Sequence, residues 1–251
     1  QLAEQFVKDL LNQDVAHICI TGDLTNLALD SEFKKAKEVL QPLLTRGDVS
    51  MVPGNHDIYT KGSERDRRFE SYFGEHLWPP GDARTYPWHK HIGDVQLVGF
   101  CSAVPRAPLM ATGVVSDAQL DQLDALSQTH AFQEDFVIAL IHHNLHSRAP
   151  RKNAMHGLDN RDQVLERCHN AGVNLLLHGH THVAHRFDYR GMAVVGCGSS
   201  TWSREHEDHR ARYNIYTVTE GRLVEIERRM FDPTNHCFVA AGSLEVGGAT
   251  A

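Results

Sequence analysis

The sequence lacks three features that would set its class at once: a CxxC cysteine pair, an apolar run of transmembrane length and a stripe of basic residues. Its five cysteines are odd in number and widely spaced, which argues against a disulfide scaffold and favours a reducing compartment. We therefore expect a cytoplasmic protein, and without a long apolar run we expect no membrane partner. Lys and Arg number 25 against 32 Asp and Glu, a formal charge of −7, which argues against a nucleic acid polymer as partner.

The chain is long enough to bury a core without a disulfide or metal to hold it together. It has 251 residues, of which 41% are hydrophobic, and no repeat, low-complexity tract or linker divides it. We expect a single domain over residues 1–251, with a mobile, Gly- and Ala-rich tail from about 238 to 251. Eighteen histidines are many for this length, and histidine is the commonest metal ligand.

Helical and strand patterns alternate in the first half of the chain, and strands predominate after residue 182. Helices are predicted at 1–13, 30–44, 65–73, 117–126 (after an N-cap at Ser116) and 160–170. Strands are predicted at 15–20, 49–52, 91–92, 95–100, 136–141, 173–177, 183–188, 192–197, 213–219 and 223–229. This order indicates a sandwich of sheets with helices on its outer faces.

Four of the predicted strands end in the same way, in a sharp polar turn that carries metal-ligating side chains. The turns are 21–26 (TGDLTN), 53–57 (PGNHD), 142–144 (HHN) and 178–182 (HGHTH). Because ligands gather outside the carboxyl ends of strands in open α/β sheets, we expect the four turns to converge on one edge. Their Asp, Asn and His side chains, without a thiolate, suit Mn, Fe or Zn.

The motifs GDLTN, GNHD, HH and GHTH, in this order, resemble the calcineurin-like binuclear metallophosphoesterase superfamily. The match is best to its small cyclic-nucleotide and glycerophosphodiester phosphodiesterase branch, and it covers nearly the whole chain. The resemblance implies an α/β (α+β) fold, a four-layer αββα sandwich of two mixed β-sheets flanked by helices. It also implies a phosphodiesterase that attacks a small anionic phosphoester in line with a metal-bound hydroxide, using two divalent ions (Mn, Fe or Zn).

The alternatives are a phosphomonoesterase or nucleotide phosphatase of the same fold, and a non-catalytic scaffold with a degenerate metal site. The oligomeric state stays open, a homo-oligomer included.

The family pattern can be carried over residue by residue. It implies five metal ligands: Asp23, which bridges two ions, Asn55, His142 and His180, which complete the shell of one ion, and His182, which belongs to the other. It also implies that His56 faces the phosphate, where it stabilises charge or protonates the leaving oxygen, and that Asp57 orients His56.

Four further side chains are candidates for substrate contact: Asn26, His143, Arg148 and His206. His143 follows His142 directly, and successive side chains of an extended chain point to opposite sides, so it is a ligand, a substrate contact or neither. Arg148 lies in a basic loop, which is either solvated or a rim that attracts an anionic ester. His206 lies in a charged run that is either surface or close to the site.

Two features depart from the family pattern. Members begin with a strand ending in D-x-H, which supplies two ligands to the second ion, and no D-x-H precedes GDLTN here. Either the chain shown lacks that N-terminal strand or one metal site has been lost. We expect the first, because residue 1 falls inside the helix that normally follows the strand. HHN also stands where many relatives have HHPP, which leaves the substrate undetermined.

Overall fold

Helices and strands alternate in the first part of the chain, and strands follow almost alone after it. The structure, a computed structural model, describes residues 2–107, 109–147, 149–202, 206 and 209–246. The helices are α1 (Leu2–Leu11), α2 (Asp30–Leu44), α3 (Lys61–Arg65), α4 (Arg68–Phe73), α5 (Asp117–Ser127), α6 (His130–Glu134), α7 (Pro150–His156) and α8 (Arg161–Asn170). The strands are β1 (Ile18–Ile20), β2 (Val49–Met51), β3 (Trp88–Ile92), β4 (Val95–Gly99), β5 (Phe136–Leu140), β6 (Leu175–His178), β7 (His185–Tyr189), β8 (Met192–Gly196), β9 (Arg212–Thr219), β10 (Arg222–Asp232) and β11 (Cys237–Leu244).

The described strands form three sheets. The largest is mixed and six-stranded, in the order β3-β4-β5-β6-β8-β7, while β1 and β2 form a parallel pair and β11-β10-β9 an antiparallel sheet. The predicted mixed α/β fold is therefore confirmed. Beside the mixed sheet, the described strands form two smaller sheets, because β9, β10 and β11 follow one another through tight turns and pair antiparallel among themselves.

Both faces of the six-stranded sheet are buried, as expected for strands covered on either side. In β5, Val137 and Ala139 belong to a core cluster shared with helices α5 and α8. Phe136, Ile138 and Leu140 belong to a second cluster that includes α1, α2, β1 and β2. The sheet thus separates two cores, and the parallel pair lies on the face away from α5 and α8.

Local signals set several element bounds. The Ser116 hydroxyl accepts the N–H of Gln119 and begins α5, which confirms the predicted N-cap. The helix predicted at 65–73 is two short helices, because Arg67 takes φ 45° between α3 and α4. Helix α7 lies where neither a helix nor a strand was predicted, and its first residue, Pro150, is a common helix-starting residue.

The predicted tail from about residue 238 is strand β11 up to Leu244. Phe238 is buried and its ring packs against those of Phe6 and Tyr213. The small residues that suggested mobility occupy the more exposed positions of this strand. Residues 247–251 of the predicted tail lie outside the described residues. Along the described chain, no helix has both the length and the apolarity that crossing a membrane requires.

A partly buried lysine links β3 to the parallel pair. The Lys90 ammonium donates to the His76 carbonyl at 2.7 Å and to the Ser50 hydroxyl at 2.9 Å. Burial lowers the pKa of Lys90 from 10.5 to about 8. Between these two values the unfolded chain binds the proton more tightly than the folded chain, so this residue makes stability rise with pH.

We predict a measurable contribution of Lys90 to the pH dependence of stability. From about pH 7 to about pH 10, the free energy of unfolding of the wild type should rise by about 2 kcal/mol relative to that of Lys90→Met, since one pKa unit is worth about 1.4 kcal/mol. Urea unfolding at each pH measures this difference. The exposed Lys35→Met variant is the control and should track the wild type. A difference that stays constant with pH would contradict the prediction.

Candidate metal centre

The turns that follow β1 and β2 pack backbone against backbone. Gly22 has φ 91°, and a Cβ added to it would lie 2.4 Å from the Gly54 nitrogen. A Cβ on Gly54 would in turn lie 2.1 Å from Asp23 Oδ1. Only glycine fits at either position. Asp23 has φ 60°, a conformation that aspartate tolerates better than most residues, and its carboxylate therefore lies against the turn that carries Asn55.

Asp57 is fully buried beneath the Asp23 turn and holds it in place. Its carboxylate accepts from five donors: the N–H groups of Asp23, Leu24, Thr25 and Gly54 at 2.8–3.0 Å and the Thr25 hydroxyl at 3.1 Å. Burial and the nearby Asp23 carboxylate raise the pKa of Asp57 to about 6, although these donors oppose the rise. The bonds of Asp57 go to the turn, which corrects the prediction that it orients His56.

Four side chains predicted to hold one metal ion converge where β1, β2, β5 and β6 end: Asp23, Asn55, His142 and His180. His142 Nε2 lies 3.2 Å from Asp23 Oδ2 and 3.1 Å from Asn55 Oδ1. His180 Nδ1 lies 2.9 Å from Asn55 Oδ1 and 3.2 Å from His142 Nε2. Among the described residues, Asp23, His142 and His180 are the one group of carboxylate, thiol or imidazole ligands whose atoms all lie within 4.8 Å.

Main-chain carbonyl groups fix the tautomer of both imidazoles. His142 Nδ1 lies 2.7 Å from the Thr21 carbonyl oxygen, and His180 Nε2 lies 2.9 Å from that of His156. A carbonyl oxygen only accepts, so each of these nitrogens carries a hydrogen. His142 Nε2 and His180 Nδ1 are left to face Asp23 and Asn55, the arrangement by which proteins orient metal-binding histidines.

This crowding of acceptor atoms requires a positive charge. Burial lowers the pKa of His142, but the Asp23 carboxylate outweighs it and raises this pKa above the usual value. Burial also lowers the pKa of His180, to about 3, which keeps its imidazole neutral. A proton on His142 partly neutralises the cluster. One carboxylate, one amide oxygen and two neutral imidazoles also fit a divalent cation.

His182, the ligand predicted for a second ion, is not a member of this close group of ligands among the described residues. It has φ 55°, is exposed, and its ring packs 5.1 Å from that of Trp202. Burial lowers its pKa, although the charge of Asp23 is close enough to oppose this. No group of three ligands that includes His182 occurs in the described part of the chain.

His56 lies at the outer rim of the cluster and is partly exposed. Its Nδ1 donates to the Asn26 carbonyl oxygen at 2.8 Å. Nε2 is therefore the ring nitrogen that this bond does not use. Its ring is parallel to that of the exposed Tyr59, with 5.8 Å between centroids. Asn26, predicted to contact substrate, has an exposed side chain and serves His56 through its main chain.

Substrate contact was also predicted for His143, His206 and Arg148. His143 is fully buried, with Nδ1 2.8 Å from the Ser102 hydroxyl, so it cannot reach a substrate and that prediction is corrected. His206 is exposed, and its ring lies 6.2 Å from that of His209. Arg148 lies outside the described residues.

Sequence reasoning missed the main-chain partners of the cluster. The carbonyl groups of Thr21, Asn26 and His156 fix three imidazoles, yet a carbonyl group is common to every residue and carries no signal. Tyr59 and Trp202, which lie against His56 and His182, carried only a weak signal, because single aromatic residues near a motif usually belong to the core.

Comparisons with known proteins agree with this geometry. A family model described as calcineurin-like phosphoesterase matches residues 2–184. The chain is similar to two proteins named "probable cyclic nucleotide phosphodiesterase". For the one from Ruthia magnifica the identity is 21% over 228 residues, covering 89% of this chain and 86% of the relative. For the one from Vesicomyosocius okutanii it is 22% over 219 residues, covering 86% and 82%.

Two solved structures share the fold at low sequence identity. A dimetal phosphatase from Danio rerio matches with a TM-score of 0.64 and 16% identity, over 91% of this chain and 85% of that one. GAP50, the anchor in the inner membrane complex of Plasmodium, matches with a TM-score of 0.55 and 13% identity, over 98% and 82%.

Proposed function

The chain belongs to the calcineurin-like phosphoesterase family, and we propose that it is a metal-dependent enzyme that hydrolyses small organic phosphodiesters. The substrates are of the cyclic nucleotide or glycerophosphodiester class. The observation that carries this proposal is the convergence of Asp23, Asn55, His142 and His180 beside the rim histidine His56. The names of the two curated relatives also support it.

Each side chain has a task in this reaction. Asp23, Asn55, His142 and His180 would hold one divalent ion, and Asp23 and His182 would contribute to a second; Mn, Fe and Zn suit these ligands. Bound metal supplies Lewis-acid stabilisation of the phosphoryl oxygens and lowers the pKa of water. His56, held at Nδ1 by the Asn26 carbonyl, presents Nε2 to the ester. As the imidazolium, with a hydrogen on each ring nitrogen, it gives the Nε2 proton to the leaving oxygen and keeps the Nδ1–H bond as a neutral ring.

The rim supports a substrate with an organic group. Leu27, which directly follows the residue that holds His56, is 47% exposed, and Tyr59 beside His56 is 40% exposed. Exposed apolar side chains next to a reactive group offer a surface for the organic part of an ester.

The retained metal-ligating geometry favours an enzyme over a non-catalytic scaffold. The five cysteines are free thiols, which supports the prediction of a cytoplasmic location.

The proposed function is tested with a substrate panel. Protein loaded with Mn should hydrolyse bis(p-nitrophenyl) phosphate and either cyclic AMP or glycerophosphocholine, and treatment with EDTA should abolish turnover. p-Nitrophenyl phosphate reports on the phosphomonoesterase alternative. Turnover of the monoester alone would replace the proposal by that alternative, and no metal-dependent turnover of any ester would contradict both.

His56→Ala should separate proton donation from metal binding. We expect kcat for an ester with a poor alcohol leaving group to fall by about 100-fold, the usual scale of general acid catalysis, while the metal content stays unchanged. An ester of p-nitrophenol should be affected much less, because that leaving group needs no proton. Stopped-time assays and metal analysis check both statements. Loss of metal in this variant would show that His56 is a ligand.

A further inference from the structure

We propose that Glu32 is a positioning residue for His56, and that it acts through one peptide group of the loop 26–29. The catalytic consequence rests on the proposed function, whereas the structural statement does not. Glu32 lies in the first turn of α2, on the surface, and touches none of the clustered metal-ligating side chains in the described structure.

The Glu32 carboxylate gathers three N–H groups of the loop. Its Oε2 accepts from Leu27 and Leu29, each at 3.0 Å, and its Oε1 accepts from Asn26 at 3.3 Å. Hydrogen bonds to a charged acceptor are stronger than bonds between neutral groups. The loop therefore turns around a single carboxylate.

One of these bonds and the bond to His56 share a peptide group. The Leu27 N–H, held by Glu32, and the Asn26 carbonyl, which accepts the His56 Nδ1 hydrogen at 2.8 Å, belong to the same planar unit. In a trans peptide the two groups point in opposite directions, so Glu32 holds one end of the plane and His56 the other. The orientation of the carbonyl, and with it the tautomer of His56, then depends on Glu32.

Burial contributes little to holding this peptide group. Leu27 and Leu29 are each 47% exposed, and the buried residue of the loop is Ala28, whose carbonyl accepts from Arg68 at 2.6 Å. Arg68 thus anchors the loop two peptide groups further along, at the Ala28–Leu29 unit. On the Asn26–Leu27 unit, the bonds to Glu32 and His56 are the polar contacts that the structure gives.

The ordinary role of such a glutamate is to cap its helix. A Glu at the third helical position accepts the N–H of the N-cap residue, which here is the bond to Leu29. Capping alone would not need the bonds to Asn26 and Leu27. The two roles differ in what they affect: a cap stabilises α2, whereas a positioning residue determines the state of the His56 ring.

Nitrogen NMR of the imidazole separates the two roles without using activity. At a pH where His56 is neutral, the wild type should show hydrogen on Nδ1, with the signals assigned by comparison with His56→Ala. In Glu32→Ala the ring should shift towards the Nε2–H form that free imidazole of histidine prefers. Glu38→Ala, which removes an exposed carboxylate from the same helix, is the control and should match the wild type. An unchanged Nδ1–H tautomer in Glu32→Ala would overturn the proposal.

Kinetics supply a second test. For a diester with a poor alcohol leaving group, Glu32→Ala should lower kcat by about 10-fold, as loss of a partner that orients a functional histidine does, with KM unchanged. In the His56→Ala background, Glu32→Ala should cause no further loss. An equal loss in both backgrounds would show that Glu32 acts through helix stability. If the protein hydrolyses no ester, the proposed function fails, and the NMR result still decides the role of Glu32.

Discussion

Replacing His142 by alanine is expected to remove bound metal and to lower metal-dependent phosphoester hydrolysis by about 10³-fold or more. The scale follows from several kcal/mol of transition-state stabilisation supplied by bound metal, at about 1.4 kcal/mol for each factor of ten. Nε2 of His142 lies within 3.2 Å of ligand atoms of Asp23, Asn55 and His180, so its imidazole is central to the set. Its loss removes the imidazole that faces Asp23 Oδ2.

Metal content and kcat are measured on the same preparation, by inductively coupled plasma mass spectrometry and with bis(p-nitrophenyl) phosphate. The matched control is His130→Ala, which removes an exposed histidine of α6 and should keep both the metal and the activity. A His142→Ala variant that retains stoichiometric metal and wild-type turnover would show that the clustered residues are not the active site.

The convergence of Asp23, Asn55, His142 and His180 could be predicted because its evidence is local. His142 follows a short apolar run directly, Asp23 and Asn55 each follow one after two turn residues, and the carboxyl ends of such strands meet at one edge. Glycine at positions 22 and 54 indicated tight turns. Residue type and position along a strand were therefore enough to predict that these side chains lie close together.

The roles of Asp57 and Glu32 could not be predicted in this way. Asp57 follows His56 directly, so the sequence suggested a contact between them, but the packing of two turns placed its carboxylate under the Asp23 backbone. The position of Glu32, in the first turn of a predicted helix, is typical of a residue that caps the helix. Its bonds to Asn26 and Leu27 depend on how the loop folds back over the helix, which only the three-dimensional structure shows.

The fold was predicted where patterning is periodic and missed where it is not. The bounds of α2 were predicted to the residue, since its apolar spacing is regular. Strand β11 was missed because its exposed positions carry alanine, glycine and serine, and only Phe238 signals a buried face. The division of β1, β2, β9, β10 and β11 into two sheets depends on which strands pair with one another, and a single sequence does not specify this.

Asp57→Asn should destabilise the whole protein, although the change removes only one charge and keeps the shape of the side chain. Both carboxylate oxygens accept hydrogen bonds: Oδ1 from Leu24 and Thr25, Oδ2 from Asp23 and Gly54. An asparagine must turn its NH₂ group towards one of these pairs of N–H donors. Unsatisfied buried donors cost about 1–3 kcal/mol each, so we expect a loss of about 3 kcal/mol in the free energy of unfolding.

In a protein of this size that loss corresponds to a fall in Tm of roughly 6–12 °C, which calorimetry measures against the exposed control Asp162→Asn. Activity should fall as well, by about 100-fold, because a displacement of the Asp23 turn by about 1 Å misplaces a metal-ligating carboxylate. If Asp57 instead oriented His56, the variant would keep its stability and lose only proton donation. Unchanged Tm together with a loss confined to esters with poor leaving groups would therefore restore that role and contradict the one assigned from the structure.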